Sequence, residues 1–212
     1  MKYRLVGSEM CIRDRPDSTQ LKLIHGYYAC ISFVDDQIGR LVSKLKELDL
    51  YNDAIIVFVG DHGWQLGEHN LWAKHCNFQT SLKVPLLIKY PNQTEAKKIK
   101  SVVELVDIFP TLCDLSNLDY PKHLQGKSLT SVNKKDNSNT IGFSTYKKGT
   151  TITTSNYSYT KWQNDNNELI GQMLFDLKRD KDENISIAID STYKQLINSF
   201  SKNIDSINEV SL

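Results

Sequence analysis

One short run constrains this chain more than any other. Ala54–Val59 (AIIVFV) is continuous, apolar and rich in β-branched residues, with the Asn52-Asp53 turn before it and Gly60 after it. That is the pattern of a strand buried on both faces. Ahead of it, Ile24, Tyr27, Tyr28, Ile31, Val34, Ile38, Leu41, Val42, Leu45 and Leu48 recur at three- and four-residue steps, which predicts an amphipathic helix over Leu23–Leu48. A helix followed by a buried strand predicts half of a βαβ unit in a mainly parallel sheet, hence an α/β fold. A second buried strand is expected at Val84–Tyr90, with Pro85 at its start, where a missing donor is tolerated. Between the two lies Gly60–Lys83, a long connection dense in glycine and histidine, and loops of that length inside a compact domain are usually functional.

Downstream, Val102–Leu115 reads as a strand passing into a helix, with Pro110 suited to the first turn. Ser131–Asn139 is a polar linker. The pattern then changes to short runs at Thr140–Thr145, Thr150–Ser155, Tyr157–Trp162 and Met173–Asp176, the spacing of an antiparallel meander. Tyr193, Leu196, Ile197, Phe200, Ile204 and Ile207 form one helical stripe, so a last helix should pack on that small sheet.

Charge narrows the function classes. Lys+Arg 26 against Asp+Glu 25 leaves +1, with 24% charged residues, and such a balance lacks the basic excess that nucleic acid or a membrane surface demands. Ala54–Val59 is also far too short to cross a bilayer. The cysteines at 11, 30, 76 and 113 form no C-x-x-C pair and no dense framework, so disulfide scaffolding is not expected, and Cys30 and Cys113 read as buried, inert thiols. Met1–Arg15 has neither an apolar core nor periodicity, so it reads as neither signal peptide nor helix. Its stretch Leu5–Arg15 resembles a translated sequencing-adapter peptide. The expectation is a non-native segment over 1–15, an α/β body over 16–132, and a small antiparallel-sheet subdomain with its helix over 133–212.

Chemistry concentrates immediately after the first buried strand. Gly60-Asp61-His62-Gly63-Trp64 sits where ligands of open α/β sheets bind, outside the carboxyl end of a strand. An adjacent carboxylate and imidazole, flanked by glycines that let the backbone turn, can both reach one metal ion. A plain polar turn is the competing reading. Leu66-Gly67-Glu68-His69 and Trp72-Ala73-Lys74-His75 then add an acid, two imidazoles and an ammonium, interleaved with Trp64, Leu66, Leu71 and Trp72. Together they predict a walled, water-poor pocket where a metal and an ammonium act on an anionic group.

At these residues the chain resembles the sulfatase family of the alkaline-phosphatase-like superfamily. The likeness runs through Gly60–Trp64, Leu66–His69, Trp72-x-Lys74 and Val84-Pro85-Leu86-Leu87. It continues in Tyr27-Tyr28-Ala29 to Leu41, Leu105–Leu112, Leu124-Gln125-Gly126-Lys127-Ser128-Leu129, Tyr159–Trp162 and Leu174–Leu177. The Trp64 and Trp72-x-Lys74 context looks closest to iduronate-2-sulfatase-like members. The resemblance implies the carboxy-terminal part of an alkaline-phosphatase-like sandwich, acting on sulfate esters of a carbohydrate such as a glycosaminoglycan, in a periplasmic or secreted setting. It implies that Asp61 and His62 ligate a divalent cation, usually calcium, that Lys74 contacts the sulfate as a catalytic and substrate-binding group, and that Trp64 lines the substrate. Glu68 and His69 read either as partners that orient the loop behind the metal or as groups that hydrogen-bond locally. Because His62 offers nitrogen, manganese and zinc stay open. His25, His75 and His123 read as structural.

The departures matter as much. Sulfatases attack with a formylglycine made from the cysteine of C-x-P-S-R, and no such motif occurs here. Cys11 to Arg15 has the C-x-x-x-R spacing without the proline and serine. The expectation is therefore a chain inactive alone. A phosphoester or phosphonate-ester hydrolase of the same superfamily, and a non-catalytic binding fragment, are the rival readings.

Overall fold

The computed structural model describes residues 16–130 and 140–210, so the expectations for Met1–Arg15 and for the linker Ser131–Asn139 lie outside the described residues. The chain divides into two compact units, one holding residues up to 75 together with 83–95, the other 76–82 together with 96–212.

The first unit opens with helix α1, Asp17–Glu47. Asp17 in its first turn and Lys44 and Lys46 in its last complement the helix dipole. The helix ends where Asp49 takes a left-handed conformation (φ 57°) and Leu50 N donates to Leu45 O at 2.9 Å. The expected apolar stripe is present, yet no residue of α1 is buried, and Tyr28, Ile31, Val34 and Leu41 are all exposed. Cys30, expected to be buried, is exposed as well, because it rides on this open helix; Cys113 is buried.

Strand β1 (Ile56–Val59) and strand β4 (Leu86–Lys89) form the two-stranded sheet of this unit. They pair antiparallel, Ile56 with Lys89 and Val59 with Leu86, which corrects the expectation of parallel strands. The chain between them turns back instead of crossing over, and an excursion that returns on the same side dictates antiparallel pairing. Neither strand is buried on both faces, since Phe58, Val59 and Leu87 are exposed. The Lys89 ammonium pins the turn before β1, donating to the carbonyls of Tyr51, Asn52 (2.8 Å) and Ala54 (3.1 Å) and lying 4.8 Å from the Tyr51 ring centre.

The second unit closes a core of its own. Strands β5 (Gly142–Tyr146), β6 (Gly149–Thr153), β7 (Tyr157–Gln163) and β8 (Leu169–Asp176) form the expected antiparallel meander in chain order. The final helix α4 (Lys194–Val210) lays Ile197, Phe200 and Ile204 against Ile152, Tyr159 and Leu174. Burying an aliphatic side chain of this size stabilises by about 1.5–3 kcal/mol. The Tyr159 ring stacks on Phe200 at 5.9 Å, while its hydroxyl donates to Gln172 Oε1 at 3.0 Å. Burial, with a smaller push from the Asp205 carboxylate, drives that phenol up to about 12. Lys161, buried on β7, is paired with Asp205 of α4 at 2.7 Å.

Two attached pieces complete this unit. The segment around the short helix α2 (Gln79–Leu82) is stitched to the sheet: Asn77 Nδ2 donates to Gly149 O and Thr151 Oγ1, and Gln79 N donates to Glu183 Oε2 at 2.6 Å. Helix α3 (Ile108–Leu115) begins after a 3-10 turn, Leu105–Asp107, so the strand expected ahead of it does not form. A reciprocal cap consumes those residues: Glu104 N donates to Asp107 Oδ2 at 2.9 Å while the backbone N–H of Asp107 donates to the Glu104 side chain, and Glu104 Oε1 also accepts from Phe143 N on β5. Asp107 Oδ1 and Thr111 Oγ1 accept from Lys127 N and Leu129 N, which fastens the loop 124–130. Gly126 passes so close that a Cβ there would lie 2.0 Å from Val106 O. Only glycine fits that approach.

Candidate functional site

The Asp61–His62 pair is placed by the end of β1. One residue past the strand, Gly60 N donates to Pro85 O at 3.1 Å, extending the β1–β4 ladder. A Cβ on Gly60 would lie 3.2 Å from Pro85 Cδ and 3.3 Å from Val84 Cβ, so the glycine permits the close passage from which the next two side chains emerge. Asp61 Oδ1 accepts from His62 N at 2.9 Å, an acceptor-to-own-backbone turn that fixes the carboxylate. Asp61 Oδ2 then lies 3.4 Å from His62 Nε2. The opposite ring nitrogen, His62 Nδ1, is 2.9 Å from Gly63 O.

That last contact determines what the pair can do. A carbonyl only accepts, so Nδ1 carries the hydrogen, and in the neutral ring Nε2 turns a lone pair toward the carboxylate. Two acceptors facing each other at this range suit a shared cation or an added proton. A backbone carbonyl holding the far N–H of an imidazole is the usual arrangement behind a metal-ligating histidine. The Asp61 side chain is 87% exposed, open to further ligands.

The connection beyond is not the loop that its composition suggests. Strands β2 (Gln65–Leu66) and β3 (Trp72–Ala73) form a small antiparallel hairpin with Gln65 opposite Ala73 and Leu66 opposite Trp72. Just past β3, His75 meets His62, ring centres 5.8 Å apart. Trp64 stacks on His62 at 6.4 Å and on Tyr27 of α1 at 6.1 Å.

The hairpin tip is held in costly backbone conformations. Gly67 sits at φ 117°, with His69, Asn70 and Ala73 at 55°, 58° and 71°. For His69 and Ala73 such angles cost about 1–3 kcal/mol each and persist only where surroundings enforce them. Glu68 Oε2 accepts from Leu66 N at 2.5 Å, and Gly67 N donates to Leu71 O at 3.0 Å, so the tip is tied across itself.

Of the residues singled out in the sequence, His62 thus touches both Asp61 and Trp64, Lys74 follows β3 directly, and Glu68 and His69 shape the tip. The Glu68 carboxylate is engaged with its own turn. Among the described residues the site is open rather than walled: Asp61 and Lys74 are exposed, and Trp64 is 39% exposed. Their apolar neighbours pack beneath the hairpin, with Trp72 buried and its ring 3.4 Å from where a Cβ on Gly67 would sit. Sequence reasoning missed His75 and Tyr27 as neighbours of the pair.

As a metal centre the pair is a part. One carboxylate and one imidazole fit two adjacent positions around a divalent cation, but among the described residues no group of three or more His, Cys, Asp or Glu side chains could hold one. Calcium takes six to eight oxygens, so the remaining ligands would come from elsewhere.

Comparison with known proteins places this geometry. The sulfatase family model matches residues 7–118, and the model of the N-sulphoglucosamine sulphohydrolase C-terminal region matches 67–210. A sulfatase of Formosa agariphila is 34% identical over 83% of this chain and 34% of its own length. Human iduronate 2-sulfatase is 37% identical over 50% of this chain and 24% of its own. The chain thus spans about a third or less of these relatives. The solved structure of BT4656 in complex with its substrate D-glucosamine-2-N,6-O-disulfate superposes with a TM-score of 0.66 and 25% identity, over 83% of this chain and 40% of that one.

Proposed function

The chain belongs to the sulfatase family, and from that premise we propose that it supplies the cation-binding and sulfate-contacting part of an enzyme that hydrolyses sulfate esters of carbohydrates. The observation that carries the reading is the Asp61–His62 pair: two donors 3.4 Å apart at the end of β1, with the far imidazole nitrogen committed to Gly63 O. A divalent cation bound there, calcium in the first instance, would polarise a sulfate oxygen. Asp61 and His62 would hold that cation. The Lys74 ammonium, exposed directly after β3, would offset negative charge on the sulfuryl oxygens as the ester bond breaks. Trp64 offers an exposed ring edge beside the sugar.

The carbohydrate class is supported by BT4656, whose substrate is a sulfated glucosamine, and the finer assignment to a 2-O-sulfated uronate by the likeness to iduronate 2-sulfatase. The compartment that goes with this proposal is periplasmic or extracellular; among the described residues no helix is long and apolar enough to cross a membrane. With no C-x-P-S-R cysteine in its sequence, the chain by itself is proposed to be inactive.

Calorimetric titration of the purified chain with Ca²⁺ and Mn²⁺ tests the core of the proposal. Binding that disappears in Asp61→Ala is expected. A sulfated disaccharide should then bind only with the cation present, and more weakly in Lys74→Ala. Equal binding of the desulfated sugar would sink the substrate class, and turnover of 4-nitrophenyl sulfate above that of Lys74→Ala would sink the claim of inactivity.

A further inference from the structure

Four rings run in sequence through the first unit: Tyr27 to Trp64 at 6.1 Å with planes 27° apart, Trp64 to His62 at 6.4 Å and 29°, His62 to His75 at 5.8 Å and 59°. Each contact lies in the range where aromatic pairs attract, about 4.5–7 Å between centres. The two members that begin the column come from different elements, α1 and the approach to β2. Trp64 is therefore held between a helix and the imidazole, with 39% of its surface left to solvent.

We infer that Tyr27 and Trp64 are positioning residues that fix the imidazole of His62, so that its one uncommitted nitrogen faces the Asp61 carboxylate. The inference rests on the proposed cation site for its consequence, though not for its geometry. A histidine side chain next to a glycine has rotamers to spare, and a cation site needs one of them. Gly63 O anchors Nδ1, which restrains the ring edge but leaves the plane free to swing about that hydrogen bond. Ring contacts with Trp64 and His75 remove that freedom. Groups that orient a ligating imidazole typically contribute 10–100-fold in metal affinity without touching the metal. The column also assigns a role to Tyr27 within the Tyr27-Tyr28-Ala29 segment, which otherwise sits on a helix with no buried residue.

The test uses the whole chain with ¹³C,¹⁵N-labelled histidine, first without metal and then with Mn²⁺. In the metal-free protein the His62 ring protons should be displaced by the Trp64 ring current and show contacts to Trp64. Trp64→Leu and Tyr27→Leu should collapse that displacement and weaken Mn²⁺ binding about 10-fold. Trp64→Phe, which keeps a ring, should restore most of both. Thermal unfolding measured in parallel separates positioning from folding at Tyr27, because a merely structural Tyr27 ring would lower the melting temperature and leave the His62 signals of the folded Tyr27→Leu fraction unchanged; at Trp64, whose own ring supplies the current, Mn²⁺ affinity is the deciding readout. Should Trp64→Leu fail to fold, Tyr27→Leu and Trp64→Phe still decide the matter. Unchanged His62 signals in Tyr27→Leu, with Mn²⁺ affinity within twofold of the parent in both leucine variants, would overturn the inference. A parent chain that binds no Mn²⁺, like Asp61→Ala, would overturn the proposed cation site, and the metal-free ring signals would still decide the column.

Discussion

The meander with α4 and the α1–β1–β4 unit draw on similar apolar alphabets and reach opposite outcomes. In the first, Ile152, Leu174 and Ile204 are entirely shielded, and even the polar Thr151, Ser158 and Thr160 are buried on the sheet. In the second, Gln65 and Trp72 are the buried residues among those described, while Tyr28, Ile31, Phe33, Val34 and Leu41 stand in water. The difference is one of closure. Four strands of the meander have a facing helix, whereas two strands paired at β1–β4 offer a surface too narrow to cover a helix of the length of α1. A two-stranded sheet is marginal without such a partner. Exposed apolar surface on this scale usually marks a face made for other polypeptide.

The largest effect that tests the comparison is therefore a pair of truncations. Leu174→Ala should cost about 2–5 kcal/mol, as core leucines do. Ile31→Ala on α1 should move stability by no more than about 0.5 kcal/mol. Urea unfolding of both variants measures the two values. Hydrogen exchange adds the local view: the amides of β6 and β7 should exchange slowest, and those of α1 far faster, because protection follows local burial. Comparable truncation costs in the two units would break the comparison.

A smaller effect sharpens it. Asp205→Ala strips Lys161 of its partner while the ammonium stays buried, which should destabilise the second unit by about 1–3 kcal/mol. The loss should largely reverse when Lys161→Met is added, because the penalty comes from an unpaired buried charge rather than from the pair itself. In contrast, Lys44→Ala, which removes the exposed Lys44–Glu47 pair at 2.9 Å on α1, should be close to neutral. A double-mutant cycle on melting curves reads both.

The same contrast explains what could be read from the sequence. The stripe Tyr193 to Ile207 and the four short strands are local periodicities, and the structure places α4 and β5–β8 within a few residues of them. The long helix and the two apolar strands were legible for the same reason. Strand direction was not, because it depends on how residues 60–85 return, and that return is built from a hairpin of two-residue strands. Asn70 and His69 belong to the types that tolerate left-handed backbone, but Ala73 at φ 71° does not, and its local sequence does not foresee it. At the site, Asp61 and His62 could be picked out by their adjacency after a strand. Tyr27 and His75 could not, since they arrive from another helix and from across the hairpin. Exposure, too, was misjudged at Phe58, Val59 and Cys30, because an apolar pattern states that a face wants cover and is silent on whether this chain supplies it.

The smallest effect concerns Glu183, buried where the α2 segment meets the sheet. Its Oε2 accepts from Gln79 N at 2.6 Å, and its backbone is left-handed at φ 55°. Burial raises its pKa above the ordinary 4.5; the bond from Gln79 N pulls it down, and the nearby Asp180 pushes it further up. A carboxyl whose folded pKa is raised holds its proton more tightly in the native state. Its contribution to stability is complete below about 4.5 and is lost as pH rises through the folded value. Glu183→Gln keeps an oxygen for Gln79 N and carries no charge to desolvate. The swap should cost no more than about 1 kcal/mol in acid, where the parent is protonated, and become progressively less costly or stabilising toward neutral pH. Glu104 is shifted in the same direction by burial, so the parent curve alone would mix the two; the difference between parent and variant isolates Glu183. Urea midpoints taken from pH 4 to 8 measure it. A difference that is flat, or that grows more destabilising as pH rises, would show the carboxylate to be favourably held, and the junction at α2 would then owe its stability to charge rather than to the closed packing that sets this unit apart.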